Sequence, residues 1–204
     1  MKKTIALFDF DKTLTDTDSI ILIWQYALKN KKVDKLFYYK KLLMGSVGYL
    51  SKSNFKVFKS NICQVINYLS EDELKDFAKY VYENHMLSDG IKYLNSLSVD
   101  YKMLVSASPI NYLKYFYEYL DFDVIIGTEL DENCNLLKEN NKSQEKVKVI
   151  KEHLSSKKIE IDYENSMAFS DSYKDDKPML SLVKNRFLIN SRVKDPEYTN
   201  LNWK

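Results

Sequence analysis

The pattern of apolar and polar positions divides the chain into three parts. It opens with "TIALFDF", a short apolar run that closes on acid rather than on a turn, which predicts a buried strand. From about residue 16 to 86 the spacing is helical, with no strand signal and no proline. "DSIILIWQYALKN" predicts a helix capped by Asp18 or Ser19, "VDKLFYYKKLLMG" a second ended by Gly45, and "SKSNFKVFKSNICQVINYL" a third. "SEDELKDFAKYVYENHML" predicts a fourth, with Ser70 and Glu73 at capping-box spacing.

From residue 87 strands and helices alternate. "SDGIKYLNSL" reads as helix, "KMLVSAS" as strand, and "PINYLKYFYEYL" as a helix with Pro109 in its first turn. "FDVIIGTEL" reads as strand, with "NCNLL" as a short hairpin arm. "SQEKVKVIKEHL" follows as helix, "NSMAFSD" as strand, "KPMLSLVKN" as helix and "RFLIN" as a last strand. The tail "SRVKDPEYTNLNWK" is polar and is expected to pack loosely, anchored by Trp203. Such alternation implies a parallel sheet covered on both faces, with ligands at the carboxyl ends of its strands. The expected fold is α/β: a Rossmann-like core of residues 1–15 and 87–204, and a small all-helical domain of residues 16–86.

Composition changes this picture little. A chain of 204 residues holds one good core, or a core with a modest second domain. A net charge of +2 is too small to imply a nucleic-acid partner. Cys63 and Cys134 are expected to be inert thiols in a reducing cytosol. "MKKTIALFDFDK" meets acid too early for a secretion signal, and no run approaches the ~18 apolar residues of a membrane span. The expectation is a cytoplasmic protein; oligomeric state has no sequence signal. One segment departs from the average. Nine lysines (29, 31, 32, 35, 40, 41, 52, 56 and 59) face a single acid, Asp34, among aromatic and aliphatic residues. The plain reading is a solvated helix face. The alternatives are a field that attracts anionic substrates or attachment to an anionic membrane surface.

Three predicted strands end in polar residues: "DFDKT", "VSAS" and "AFSDSYKDD". A parallel sheet brings these ends to one edge, together with Lys146 at the start of its helix. The set is Asp9, Asp11, Thr13, Ser106, Lys146, Asp171 and an acid at 175 or 176. Clustered carboxylates with one lysine and hydroxyls suit Mg²⁺ and phosphate, the cation offsetting the repulsion between acids. His85 and His153 lack partners at zinc-ligand spacing. The tyrosines at 112, 115, 117 and 119 read as packing and surface residues of one helix.

"DFDKTLT", "SAS", "EKVKVI" and "FSDSYKDDKPML", in this order, resemble the four motifs of the haloacid dehalogenase (HAD) superfamily, its phosphoserine-phosphatase-like branch most of all. The helical segment sits where that branch carries its cap domain. The resemblance implies a Mg²⁺-dependent phosphatase acting on a small phosphorylated metabolite through an aspartyl-phosphate. Asp9 would be the nucleophile and Asp11 the general acid and base. Mg²⁺ would be held by the Asp9 and Asp171 carboxylates and the Asp11 main-chain carbonyl. Ser106 and Lys146 would bind phosphoryl oxygens, and Thr13, Ser172, Asp175 and Asp176 would support them. Lys142 and Lys148 compete with Lys146, which fits the E-K-V pattern best. Counting from Asp171 selects Asp175 as the second acid of the last motif, while counting back from Pro178 selects Asp176; the first count is slightly favoured. The same intermediate also allows a phosphotransferase or mutase, and a regulatory module with a relict site is the alternative of another class.

Overall fold

The computed structural model describes residues 1–52 and 55–204, with the side chains at 48, 49, 51 and 52 also outside the description. Part of the third predicted helix, at 53 and 54, therefore lies outside the described residues, as does the side chain at 52 in the lysine-rich segment. The elements in chain order are β1 (Lys2–Lys3), β2 (Ile5–Phe8), α1 (Ser19–Lys29), α2 (Lys35–Lys52), α3 (Phe55–Cys63), α4 (Glu71–His85) and α5 (Ser88–Ser96). They continue with β3 (Tyr101–Pro109), α6 (Ile110–Leu113), β4 (Val124–Thr128), α7 (Gln144–Ser156), β5 (Glu160–Ile161), β6 (Met167–Ser170), α8 (Tyr173–Leu180), β7 (Asn185–Ile189) and β8 (Thr199–Leu201).

Six strands form one parallel sheet in the order β4-β3-β2-β6-β7-β8. β2 is central because all four of its residues are apolar and fully buried, as a strand covered on both faces requires. Its side chains alternate between two cores. Ala6 and Phe8 join the apolar cluster that continues into the helical segment, while Ile5 and Leu7 face the cluster under α7 and α8. Phe8, Phe169 and Phe187 occupy successive register positions and stack, at 4.3 and 4.8 Å between ring centroids. The predicted α/β fold, a Rossmann-like sheet with helices on both faces, is the observed one.

Residues 16–86 are helical where described. Ser70 and Glu73 form the predicted capping box, at 3.3 and 2.9 Å. Gly45 does not end α2, which runs on to Lys52. A Cβ at Gly45 would lie 3.1 Å from the Phe58 ring, so the glycine serves the close approach of α2 and α3 rather than a stop. The segment's two connections run side by side. Leu87 N donates to Leu14 O (2.8 Å), Asp16 N donates to His85 O (2.9 Å), and Thr15 bridges Met86. His85 bonds Asp16 and the Tyr80 hydroxyl. Leu22, Trp24, Phe77 and Val81 share one apolar cluster with Phe10 and Phe116, which fastens the segment to that side of the sheet.

Three expectations near the sheet are corrected. The tail is not loosely packed: β8 adds a sixth strand beside β7, and Trp203 is buried against Gly90. The helix expected from Pro109 is a single turn, α6, followed by a 3₁₀ turn over Lys114–Glu118. The "NCNLL" arm is reduced to one antiparallel bridge between Leu130 and Leu136. Cys63 and Cys134 are both unpaired and buried, and burial pushes their thiols up to about 11 and about 12. No helix among the described residues is long and apolar enough to cross a membrane.

Candidate active site

The carboxyl ends of β2, β3 and β6 meet at a cavity of about 280 Å³, lined among others by Asp9, Asp11, Ser106, Lys146, Asp171 and Asp176. Asp9 directly follows β2, and its N–H donates to Phe169 O at 3.0 Å, so the sheet itself sets its position. The chain then turns tightly. Thr13, Leu14 and Thr15 all donate to Phe10 O, and Lys12 takes φ 57°. This turn brings both acids of "DFD" to the cavity, whereas a continued strand would aim them alike.

Lys146 enters from the first turn of α7 and is almost wholly buried. Its ammonium lies 2.6 Å from Asp9 Oδ1 and 2.8 Å from Asp176 Oδ1. Burial works against that charge, but Asp9 and Asp176 outweigh it and raise the lysine above its ordinary value. Burial also pushes the Asp9 carboxyl up to about 8, with Asp176 and Asp11 adding to the effect and Lys146 opposing it. Asp171 is pushed up to about 6 by burial and then by Asp176. One lysine thus leaves an excess of negative charge among Asp9, Asp11, Asp171 and Asp176.

That excess decides whether the residues suit a metal. Among the described residues, no three His, Cys, Asp or Glu side chains converge as a preformed metal cluster. The hard donors lining the cavity are the carboxylates of Asp9, Asp11, Asp18, Asp171, Asp175 and Asp176, with neighbouring main-chain oxygens. Hard oxygens in small number suit Mg²⁺, which retains several waters. Zinc is held chiefly by histidine and cysteine, and no described His or Cys lines the cavity. The donor set fits Mg²⁺.

Thr13 ties two loops together: its hydroxyl donates to Asp9 Oδ2 (3.3 Å) and accepts from Asp171 N (2.9 Å). Ser106 Oγ accepts from Ser108 N at 3.0 Å, which leaves its own proton for a ligand in the cavity. Ser172 caps α8 by accepting from Asp175 N. The adjacent acids of the last motif part company. Asp176 is buried, faces Lys146 and accepts from the Ser170 hydroxyl at 2.7 Å. Asp175 lies at the rim, half-exposed, paired with Lys142 at 3.0 Å. The count favouring Asp175 as the partner of Lys146 is therefore corrected to Asp176. α8 begins at Tyr173, and the ~100° turn per residue aims only the second acid inward. Of the competing lysines, Lys142 pairs with Asp175 and Lys148 with Glu145, each at 3.0 Å.

Several residues at the site had no sequence assignment. Asp11 Oδ1 accepts from Ser19 N at 2.6 Å and Oδ2 from the Ser108 hydroxyl. The Ser19 hydroxyl lies 2.9 Å from both Ser108 Oγ and the Tyr112 hydroxyl. Tyr112 is thus not merely a packing residue. Burial, and Asp11 nearby, raise its phenol well above the ordinary value. Asn141 holds Ser106 O through Nδ2 at 2.8 Å. Lys59, counted among the surface lysines, is buried, and its ammonium donates to Ala107 O at 3.0 Å. Its signal was helical spacing, four residues from both Phe55 and the buried Cys63.

The model of the haloacid dehalogenase-like hydrolase family matches residues 6–181. No curated protein matches. A protein of unknown function from Bordetella pertussis Tohama I superposes with a TM-score of 0.75 at 16% identity, covering 96% of this chain and 92% of that one. A phosphoserine phosphatase, solved as a phospho-aspartyl intermediate analogue, gives 0.54 at 16% identity over 94% and 88%. A probable phosphoserine phosphatase from Vibrio cholerae gives 0.59 at 14% identity, over 93% of this chain and 57% of that one. At these identities the likeness is one of fold.

Proposed function

The chain belongs to the haloacid dehalogenase-like hydrolases, and on that premise we propose that it is a Mg²⁺-dependent phosphatase acting on a small phosphomonoester through an aspartyl-phosphate on Asp9. The observation that carries the reading is the unlike setting of two carboxylates two residues apart. Asp9 lies against the Lys146 ammonium, whereas Asp11 is held by an amide and a hydroxyl. Environments that differ in this way support a division into nucleophile and general acid.

In this reading an Asp9 oxygen attacks phosphorus while the bond to the leaving oxygen breaks and Asp11 gives that oxygen its proton. Asp11 then takes a proton from water, the water oxygen attacks phosphorus, and the bond to Asp9 breaks to release phosphate. Lys146 and the Ser106 hydroxyl hold the phosphoryl oxygens, where charge is spread in the transition state. Mg²⁺, held by the Asp9 and Asp171 carboxylates and the Asp11 main-chain carbonyl, would supply further neutralisation of that charge. Asp176 keeps Lys146 in place, and Thr13 keeps Asp9 and the Asp171 loop in register.

Residues 16–86 form the cap in this reading, hinged at the two connecting segments bridged at Thr15 and Met86. Support comes from Ile20, Phe55 and Lys59, which line the same cavity as the acids. The cavity's modest size and the lysines at 12, 59 and 142 around it favour a small substrate with a second anionic group. Two buried free thiols suit a reducing cytoplasm. The test is phosphate release from an aryl phosphate and a panel of phosphorylated metabolites, with and without Mg²⁺ and with alcohols as competing acceptors. Mg²⁺-dependent release by the wild type and none by Asp9→Asn supports the proposal. Turnover retained in Asp9→Asn, or none by the wild type on any ester, refutes it. Transfer to alcohols in preference to water makes the protein a phosphotransferase.

A further inference from the structure

Helix α2 is apolar on the side turned away from the protein. Leu36, Tyr39, Leu43, Val47 and Leu50 recur at three- and four-residue spacing and form one stripe along it. All five are exposed, Leu36 and Leu50 each at 79%. The inner side is already occupied: Phe37 and Tyr38 lie against Trp24, and Gly45 against Phe58. The helix therefore carries two apolar faces, and no described residue covers the outer one.

The charge around the stripe is one-sided. Lys35 and Lys40 are exposed on α2, and Lys31 and Lys32 are exposed in the turn before it. Lys31, Lys32 and Lys35, with Phe37 and Tyr68, line an open cleft of about 520 Å³ at the start of the helix. Lys32 is paired with Glu73. The only acid between residues 29 and 59, Asp34, is engaged in capping α2 through Phe37 N, at 2.6 Å.

An occupant must answer both the stripe and the lysines. A second copy meeting this face would bring like-charged lysines together around the seam, and an uncharged apolar partner would leave them unanswered. An anionic bilayer supplies acyl chains for the stripe and phosphate groups for the ammonium ions. We propose that the outer face of α2 is a docking surface for an anionic phospholipid bilayer, on which the protein rests peripherally with the cleft at Lys31, Lys32 and Lys35 taking headgroup phosphate. The inference is independent of the hydrolytic chemistry.

Flotation of the whole protein with vesicles tests it. One set is phosphatidylcholine alone and the other an equimolar mixture with phosphatidylglycerol. The expected result is binding to the mixed vesicles, weak binding to the neutral ones, and release by raised salt. Replacing Lys35 and Lys40 together by Gln should weaken binding by about 25-fold, at roughly fivefold per lysine. Leu36→Ser with Leu43→Ser should release the protein at unchanged net charge. Lys151→Gln, on exposed α7, should change nothing. Urea midpoints close to wild type would show that the variants are folded, as expected for exposed positions. Equal binding to both vesicle types, no binding to either at low salt, or wild-type binding by both double variants overturns the proposal. A dimer that Leu43→Ser dissociates also overturns it, because a second copy would then be the occupant.

Discussion

Asp175→Asn and Asp176→Asn make the same chemical change at adjacent positions, and the structure assigns them very different costs. Asp176 is buried, lies 2.8 Å from Lys146 Nζ, and accepts from the Ser170 hydroxyl at 2.7 Å. Its neutralisation leaves Lys146 with Asp9 alone, and an amide offers one acceptor oxygen where two were in use. Breaking a buried pair costs about 3–5 kcal/mol. Repulsion of Asp176 with Asp9 and Asp171 is relieved at the same time, so the lower end, about 3 kcal/mol, is expected. Asp175 pairs with Lys142 while both side chains are nearly half-exposed, at 44% and 47%. Such a pair contributes under about 1 kcal/mol, and a favourable position in the first turn of α8 adds a few tenths. With a urea slope of about 2 kcal/mol per molar, Asp176→Asn should lower the midpoint by about 1.5 M and Asp175→Asn by less than about 0.7 M. The assay is equilibrium unfolding followed by fluorescence and circular dichroism, with slopes compared to confirm two-state behaviour. An Asp175→Asn midpoint as low as that of Asp176→Asn, or lower, would refute the placement of Asp176 beside Lys146. Phosphate release should follow the same ranking, through the loss of lysine positioning.

Three further outcomes follow from the geometry. Lys59→Ala should raise KM for a substrate with a second anionic group by about tenfold while kcat changes little, because Lys59 touches the β3 loop and none of the reacting acids. Gly127→Ala would place a Cβ 2.7 Å from Ser108 O and 2.8 Å from Ile110 N, both main-chain atoms. The end of β3, which carries Ser106, must therefore shift, at about 1–3 kcal/mol of stability, and kcat should fall more than KM rises. Burial, then Lys157, lowers the His153 pKa below its ordinary 6.5, while its Nε2 lies 2.8 Å from the Tyr101 hydroxyl. The unfolded chain binds the proton more readily, so this stabilisation is present above 6.5 and is lost as pH falls through the lower folded value. Urea midpoints for His153→Gln should therefore fall less on the acid side of 6.5 than those of the wild type.

Legibility in the sequence followed the range of the interactions. β2 could be read because four apolar residues ending in acid have few other homes, and the α4 capping box because its two hydrogen bonds span three residues. Gly45 misled because a glycine that admits a neighbouring helix is indistinguishable, along the chain, from one that ends a helix. β8 was hidden because an edge strand with no fully buried residue needs no apolar run. The acids at 175 and 176 could not be separated by counting, since the choice depends on where α8 starts. The hydroxyl network of Ser19, Ser108 and Tyr112 joins three distant segments. Its members have ordinary local roles as cap, turn and packing residues, so only the folded chain brings them to Asp11.

The bond from Ser19 N to Asp11 Oδ1 has a consequence for timing. Asp11 accepts from an N–H in the first turn of α1, so the residue proposed above as proton carrier is also one of the ties between the helical segment and the core. In the proposed reading, a swing of that segment about the bridge between Thr15 and Met86 would draw Ser19 away from the half-buried Asp11 carboxylate. On the proposed function, proton transfer at Asp11 and the position of the helical segment would thus be linked through a hydrogen bond of 2.6 Å.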